Sequence, residues 1–127
     1  MKKTIPLGSR KAGALVLVLA LGLTTQVANA DFTFGTPTKV PNVNTSAWDY
    51  DPSISADELE LYIMSNRSGG YGGRDLWVTT RASVSDPWGT PVNLGPTVNT
   101  AYDDCCPDIS ADGLSLFFWS RRPGGLF

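Results

Sequence analysis

Residues 52–70 read PSISADELELYIMSNRSGG, and residues 107–125 read PDISADGLSLFFWSRRPGG. The two segments belong to a longer duplication, because residues 41–70 align with residues 96–125 at a spacing of 55. Sixteen of the thirty aligned pairs are identical, a density that chance does not produce. The chain therefore contains an internal repeat, and the content of one repeat decides the fold.

Short alternating strands separated by turn residues fill the repeat. In the first copy we expect strands at residues 52–55, 59–65, 75–81 and 90–94, and no apolar period of 3.6 residues is long enough for a helix. The fold class is therefore all-β. A period of roughly 40–55 residues with about four short strands is typical of one blade of a β-propeller.

One turn differs between the two copies. Residues 111–113 end in Asp-Gly, a strong hairpin signal, whereas Glu58 occupies the position of Gly113 in the first copy. Either the first turn is of another type, or Glu58 bears about 1 kcal/mol of backbone strain.

The repeated pattern resembles a known family of repeats. Asp-x-Pro-x-Ile-Ser-x-Asp is followed by Leu-x-Leu-Tyr-x-x-Ser-x-Arg-x-Gly-Gly and then by Gly-x-Asp-Leu-Trp-Val, which resembles the TolB-type WD40-like (PD40) β-propeller repeat. Residues 43–94 carry one full copy, residues 98–125 carry half of another, and residues 32–40 look like the outer strand of a preceding blade. The resemblance implies an incomplete β-propeller with about one full four-stranded antiparallel blade and parts of two neighbours.

A closed propeller needs at least four blades. We therefore expect the chain to be a fragment of a longer repeat protein and to need further blades for ring closure. An open ring leaves apolar side chains bare on its faces and edges. We expect such exposure for Ile63, Trp77, Phe117 and Trp119.

Residues 1–30 have the features of a cleavable secretory signal peptide, which we expect to be helical. Lys2 and Lys3 precede an apolar run over residues 12–23, and residues 28–30 read Ala-Asn-Ala. The run is shorter than the roughly 20 residues of a membrane-spanning helix. We expect export to the periplasm or the extracellular space, without membrane insertion after cleavage. Residues 31–127 then form the partial propeller, with repeat 1 at about 41–95 and truncated repeat 2 at about 96–127.

Composition and charge exclude several classes of function. Residues 31–127 carry six cations against twelve anions, so they lack the clustered Lys and Arg that binding of nucleic acid requires. The chain contains no histidine, which removes Ser-His-Asp and Cys-His nucleophile systems and the commonest ligand of transition metals.

Acidic residues cluster before and within the first strand of each repeat, the strand that lines the central channel of a propeller. They are Asp49, Asp51, Asp103, Asp104 and Asp108. The functional interpretations are a Ca²⁺ site or a carboxylate pair for glycoside hydrolysis. The alternative, which we favour, is that these acids accept hydrogen bonds from backbone N–H groups of turns, because neither copy has the alternating acids of an EF-hand. We expect no cofactor, with Ca²⁺ as the one candidate.

Arginines and aromatic residues complete the set of candidate ligand-facing side chains. Arg67 and Arg122 could bind an anion, but we favour a clamp on carbonyls or an acid of the same blade. The aromatic residues near the blade entrances could stack on sugar rings, and we favour packing between blades instead. They are Trp48, Tyr50, Tyr71 and Tyr102.

Cys105 and Cys106 are the only cysteines. Neighbouring side chains of a strand point to opposite faces, which disfavours a disulfide between them, so we expect reduced or separately paired thiols. Two thiolates without a histidine argue against a zinc site.

These observations predict an exported, non-catalytic β-propeller module that binds a protein or a cell-wall or other polysaccharide ligand. Two alternatives from other classes stay open. A carbohydrate-active enzyme on the same fold requires an acid pair at the mouth of the channel. A substrate-gating propeller of a peptidase requires a hydrolase domain farther along the gene.

Overall fold

The computed structural model describes residues 35–124, and every regular element within them is a β-strand. In chain order they are β1 (Asp49–Ile54), β2 (Glu60–Ser65), β3 (Asp75–Thr80), β4 (Val92–Asn93), β5 (Asp104–Ile109) and β6 (Leu116–Ser120). The first four strands form an antiparallel sheet in the order β1-β2-β3-β4, and β5 pairs with β6 in a second antiparallel sheet. The all-β prediction is confirmed, and the four strands of the first repeat lie close to their predicted positions.

The turns that join β1 to β2 and β5 to β6 contain the same hydrogen bonds. The hydroxyl of Ser55 donates to the carboxylate of Asp57 at 2.6 Å and accepts from the N–H of Glu60 at 2.9 Å. In the second turn, Ser110 makes the corresponding bonds at the same two distances, and its carboxylate partner is Asp112. The repeated Ser-Ala-Asp sequence therefore encodes one turn geometry twice.

Glu58 adopts the left-handed backbone conformation that its glycine counterpart adopts. Its φ is 60°, and the φ of Gly113 is 71°. The two turns are thus of one type, and Glu58 bears the strain of a side chain in this region, about 1–2 kcal/mol.

A bulge interrupts β1 and β5 at matching positions. The pairing register shifts between Tyr50 and Ser53 in the first sheet and between Cys105 and Asp108 in the second. The residue that takes up each bulge has a positive φ: 53° at Asp51 and 57° at its counterpart Cys106. Because a bulge redirects the side chains around it, strict alternation of faces does not hold there.

The two faces of the first sheet are covered in different ways. One face packs against the segment that precedes β1, in a buried cluster of Val43, Ile63 and Trp77 flanked by Leu61 and Trp88. The other face packs against the second sheet, in a cluster of Met64, Leu76 and Cys105 flanked by Leu94, Val98 and Phe118. The second repeat therefore stacks on the first.

A buried asparagine joins the two repeats. The side chain of Asn99 accepts a hydrogen bond from the N–H of Leu76 at 2.7 Å and donates to the carbonyl of the same residue at 2.9 Å. It thereby adds to the backbone pairing of β3, since the carbonyl of Leu76 also accepts from the N–H of Leu94 at 3.1 Å. Its counterpart Asn44 is exposed and accepts only from the nearby N–H of Val40, at 2.8 Å.

Some expectations about exposure and boundaries need correction. Ile63 and Trp77 are buried rather than bare, because the segment around Val43 covers them, whereas Phe117 and Trp119 are exposed as expected. Residues 35–40 form no strand, so the described part of the predicted outer strand is not one. Residues 1–30, with the predicted signal peptide, and residues 32–34 lie outside the described residues. In residues 35–124 no helix has the length and apolar character needed to cross a membrane.

Candidate functional site

Asp49 and Arg67 form the centre of a buried polar network in the first repeat. The Nη2 atom of Arg67 donates to the carboxylate of Asp49 at 2.6 Å and to the carbonyl of Val43 at 2.9 Å, while its Nε donates to the hydroxyl of Ser65 at 3.0 Å. The other carboxylate oxygen of Asp49 accepts from the N–H and the hydroxyl of Thr45, at 2.7 and 3.0 Å. The network therefore ties β1, β2 and the segment before them together.

The second repeat contains the same network. Nη2 of Arg122 donates to Asp104 at 2.9 Å and to the carbonyl of Val98, and Nε donates to the hydroxyl of Ser120 at 2.7 Å. The N–H and hydroxyl of Thr100 donate to Asp104 at 2.6 and 2.9 Å. Both arginines thus adopt the intrarepeat clamp that we favoured over an anion site.

The network determines the charge state of the two acids. Burial by itself raises the pKa of Asp49, but the hydrogen bonds from its neighbours outweigh burial and lower the pKa below its ordinary value. The same balance lowers the pKa of Asp104. Each carboxylate is therefore ionised and fully occupied as an acceptor, which suits it to holding the fold together and not to carrying a proton.

The other candidate acids do not converge with this pair. Asp103 lies 3.5 Å from the largely exposed guanidinium of Arg121. Asp108 is exposed on β5, and Asp51 is exposed at the bulge of β1. In the part of the chain that the structure describes, one group of three or more ligand-type side chains lies together, and Asp51 is its only acid.

The four candidate aromatic residues are all exposed. Trp48 is 57% exposed and Tyr50 is 53% exposed, and their ring centroids are 6.4 Å apart in a tilted arrangement. Both line an open cleft of about 530 Å³. Tyr71 and Tyr102 lie elsewhere on the surface. None of the four rings is buried between the two described repeats, where Met64 and Leu76 pack instead. Packing of these rings against further blades stays a prediction.

The two cysteines come together at the bulge of β5. Both are free thiols, and the Sγ atoms of Cys105 and Cys106 lie 3.3 Å apart. The Sγ of Cys106 also lies 3.7 Å from the carboxylate of Asp51, across the junction of the repeats. Burial, followed by its contact with Cys106, raises the pKa of Cys105 to about 12. The argument that neighbouring side chains diverge fails here because the left-handed backbone at Cys106 breaks the alternation.

Two structural residues were not found from the sequence. Asp75 is buried and accepts hydrogen bonds from the N–H groups of Tyr71 and Gly72, so it closes the glycine-rich loop. Asn99 is the buried amide that joins the repeats. The signal that could have identified Asn99 is its repetition as Asn44 in the first copy.

Surface features of residues 35–124 that are open to other molecules include the cleft beside Trp48 and Tyr50 and the thiol and carboxylate group at the bulges. The repeated acids and arginines are already used inside the fold. Compared with known proteins, the chain matches no protein-family model, no curated protein and no solved structure.

Proposed function

We propose that the chain is part of an exported, non-catalytic β-propeller that serves as an interaction module for a protein or glycan ligand. The observation that carries the proposal is the exposed pair of rings, Trp48 and Tyr50, on an open cleft of about 530 Å³. Large aromatic rings on a surface supply apolar contact area at a small cost in conformational entropy, which is why binding sites are rich in them.

The lining of the cleft favours a polar ligand with flat apolar patches, such as a sugar chain. Asn44 and Lys39 lie beside the two rings and offer amide and ammonium groups. A pyranose presents C–H faces that stack on an indole or phenol ring and hydroxyls that hydrogen-bond to such groups. An extended peptide has a similar alternation of apolar and polar contacts, so both ligand classes stay within the proposal.

The propeller part of the proposal is supported by the way the two repeats stack. Met64 on the first sheet is buried by the second sheet, whereas its counterpart Trp119 is 45% exposed. Phe117 lies on the same face and is 63% exposed. A further four-stranded unit, placed on the second sheet as the second lies on the first, would cover both side chains.

The non-catalytic part of the proposal is supported by the state of the acids. A glycosidase needs one carboxylic acid that keeps its proton near neutral pH. The pKa values of Asp49 and Asp104 move in the opposite direction, and each carboxylate is bound to an arginine.

The proposal is tested by binding assays with the full chain. Soluble cell-wall glycans and unrelated polysaccharides are titrated into the protein and followed by calorimetry, in parallel with a peptide array. For the ligand that binds, Trp48→Ala and Tyr50→Ala should each weaken binding about tenfold, which corresponds to about 1.4 kcal/mol. Tyr71→Ala, at an equally exposed ring outside the cleft, is the matched control. Equal losses in all three variants, or turnover of the glycan, would contradict the proposal.

A further inference from the structure

We propose that Cys105, Cys106 and Asp51 form a binding site for a thiophilic divalent cation such as Zn²⁺ or Cd²⁺. The ligand atoms of these three residues lie within 4.8 Å of one another. They come from two different repeats, so an ion bound there would join β1 to β5. This site is separate from the aromatic cleft and does not depend on the proposed function.

The fold, not the sequence spacing, brings the three side chains together. Asp51 and Cys106 occupy the same bulge position in successive repeats, and both have a positive φ. Stacking of the second sheet on the first places the Sγ of Cys106 3.7 Å from the carboxylate of Asp51. The bulge also turns the Sγ of Cys106 towards Cys105, at 3.3 Å. Asp51 and Cys106, which are equivalent in the two repeats, are therefore close enough to bind one metal ion together.

Two of the three ligand–ligand distances are close to those of one face of a tetrahedral site, and the third, between the Sγ of Cys105 and the carboxylate of Asp51, is at most 4.8 Å. With a metal–sulfur bond of about 2.3 Å and a metal–oxygen bond of about 2.1 Å, tetrahedral angles place two sulfurs about 3.8 Å apart and a sulfur and an oxygen about 3.6 Å apart. The observed Sγ–Oδ2 distance for Cys106 and Asp51 already agrees with this value. The two sulfurs must separate by about 0.5 Å, which small side-chain rotations supply.

The donor set selects the class of ion. The two thiols alone argued against a zinc site, but the fold adds the carboxylate of Asp51 as a third ligand. Thiolates prefer soft or borderline cations, whereas Ca²⁺ and Mg²⁺ take oxygen ligands, so two sulfurs and one carboxylate favour Zn²⁺ or Cd²⁺. Binding replaces the two thiol protons, which pass to solvent, and no electron is transferred. Since Cys106 and Asp51 are exposed, a water molecule can take the fourth position and the ion can enter from the surface.

The test uses the full chain in a phosphine reductant, with Cd²⁺ alone as the probe. Cd²⁺ bound by thiolates gives an ultraviolet charge-transfer band, whose titration reports stoichiometry and affinity. A second measurement follows alkylation of the exposed Cys106 by iodoacetamide, which a bound ion should slow. We expect one Cd²⁺ per chain and displacement of the band by excess Zn²⁺.

Three variants make the test specific. Cys106→Asn and Asp51→Asn each remove one ligand and keep a residue that tolerates positive φ. Each should weaken Cd²⁺ binding by more than the roughly 10–100-fold that loss of an outer-shell partner costs. Asp108→Asn is the control: it removes an exposed carboxylate of β5 that is not one of the three ligands, so this variant should bind Cd²⁺ as tightly as the unaltered chain.

The outcomes separate the proposal from its alternatives. Absence of a band, or an affinity unchanged by Cys106→Asn, overturns the site. An affinity unchanged by Asp51→Asn also overturns it, because the ion would then be held by the two thiols without the neighbouring repeat. Circular dichroism spectra establish that the variants are folded. We expect them to fold because Asp51 and Cys106 are exposed.

Discussion

Replacing Asp104 by asparagine tests whether the repeated acid–arginine network stabilises the fold. In Asp104→Asn one carboxylate oxygen becomes an NH₂ group of nearly the same shape, and the negative charge is lost. An amide in the position of Oδ2 faces the two donors of Thr100, and in the position of Oδ1 it faces the guanidinium of Arg122. Either orientation places donor against donor in a site where Asp104 is completely buried.

The magnitude follows from burial of the two partners. Removing one member of a fully buried ion pair costs about 3–5 kcal/mol. The side chain of Arg122 is 34% exposed, so solvent screens part of the charge that is left without a partner. We therefore expect the free energy of unfolding to fall by about 3 kcal/mol. In urea, with an m-value of about 2 kcal/mol/M, the midpoint should fall by about 1.5 M.

A neighbouring acid provides the control. Asp103→Asn makes the same chemical change one residue earlier, where the ion pair with Arg121 is 3.5 Å long and the guanidinium is 67% exposed. Its cost should be at most about 1 kcal/mol, as for other surface ion pairs. Urea titrations followed by tryptophan fluorescence compare the two variants. Equal midpoints for Asp104→Asn and Asp103→Asn would refute the reasoning.

Three further predictions concern pH, a strained turn and a close backbone contact. The pKa values of Asp49 and Asp104 are lowered in the folded chain, so their contribution to the free energy of unfolding should be fully present above the ordinary pKa of 3.8 and be lost as the pH falls below it. An acid titration followed by near-ultraviolet circular dichroism measures this loss, and a flat profile to pH 2 would contradict it. Glu58→Gly should raise the free energy of unfolding by about 0.5–1 kcal/mol, because relief of left-handed strain exceeds the entropy cost of glycine. A loss of stability in urea would count against that balance. Gly72→Ala should cost about 2–3 kcal/mol, since its Cβ would lie 2.2 Å from the backbone oxygen of Tyr102. An unchanged thermal midpoint would show that the loop moves aside at no cost.

The strands could be predicted because the repeat presents the same signals twice. Alternating apolar residues define β2, and the Ser-Ala-Asp turn fixes where β1 ends in the first copy and where β5 ends in the second. Comparison of Glu58 with Gly113 left two possibilities for the first turn, a different turn type or a strained Glu58 with positive φ, and the structure has the second. Pairwise comparison of the copies thus supplied information that neither copy contains by itself.

The bulges could not be predicted, and the thiol–carboxylate group depends on them. Asp51 belongs to a residue type that tolerates a left-handed backbone, but Cys106 does not, so the two identities together do not signal a shared bulge. Without the bulge, period-two alternation places the thiols of Cys105 and Cys106 on opposite faces. The burial of Trp77 was also missed, because Val43 lies 34 positions earlier in a segment that forms no strand.

The contrast between Asn99 and Asn44 shows that the two ends of the stack of repeats are different. Asn99 hydrogen-bonds to the backbone of Leu76 in the preceding repeat, whereas Asn44 presents the same amide to solvent. Phe117 and Trp119 are exposed on the second repeat. A second copy that docked there as the second repeat docks on the first would present its Asn44 side, so the two surfaces that meet would be different. Such head-to-tail association does not stop at a pair, and its products are closed rings or growing rows with a concentration-dependent length.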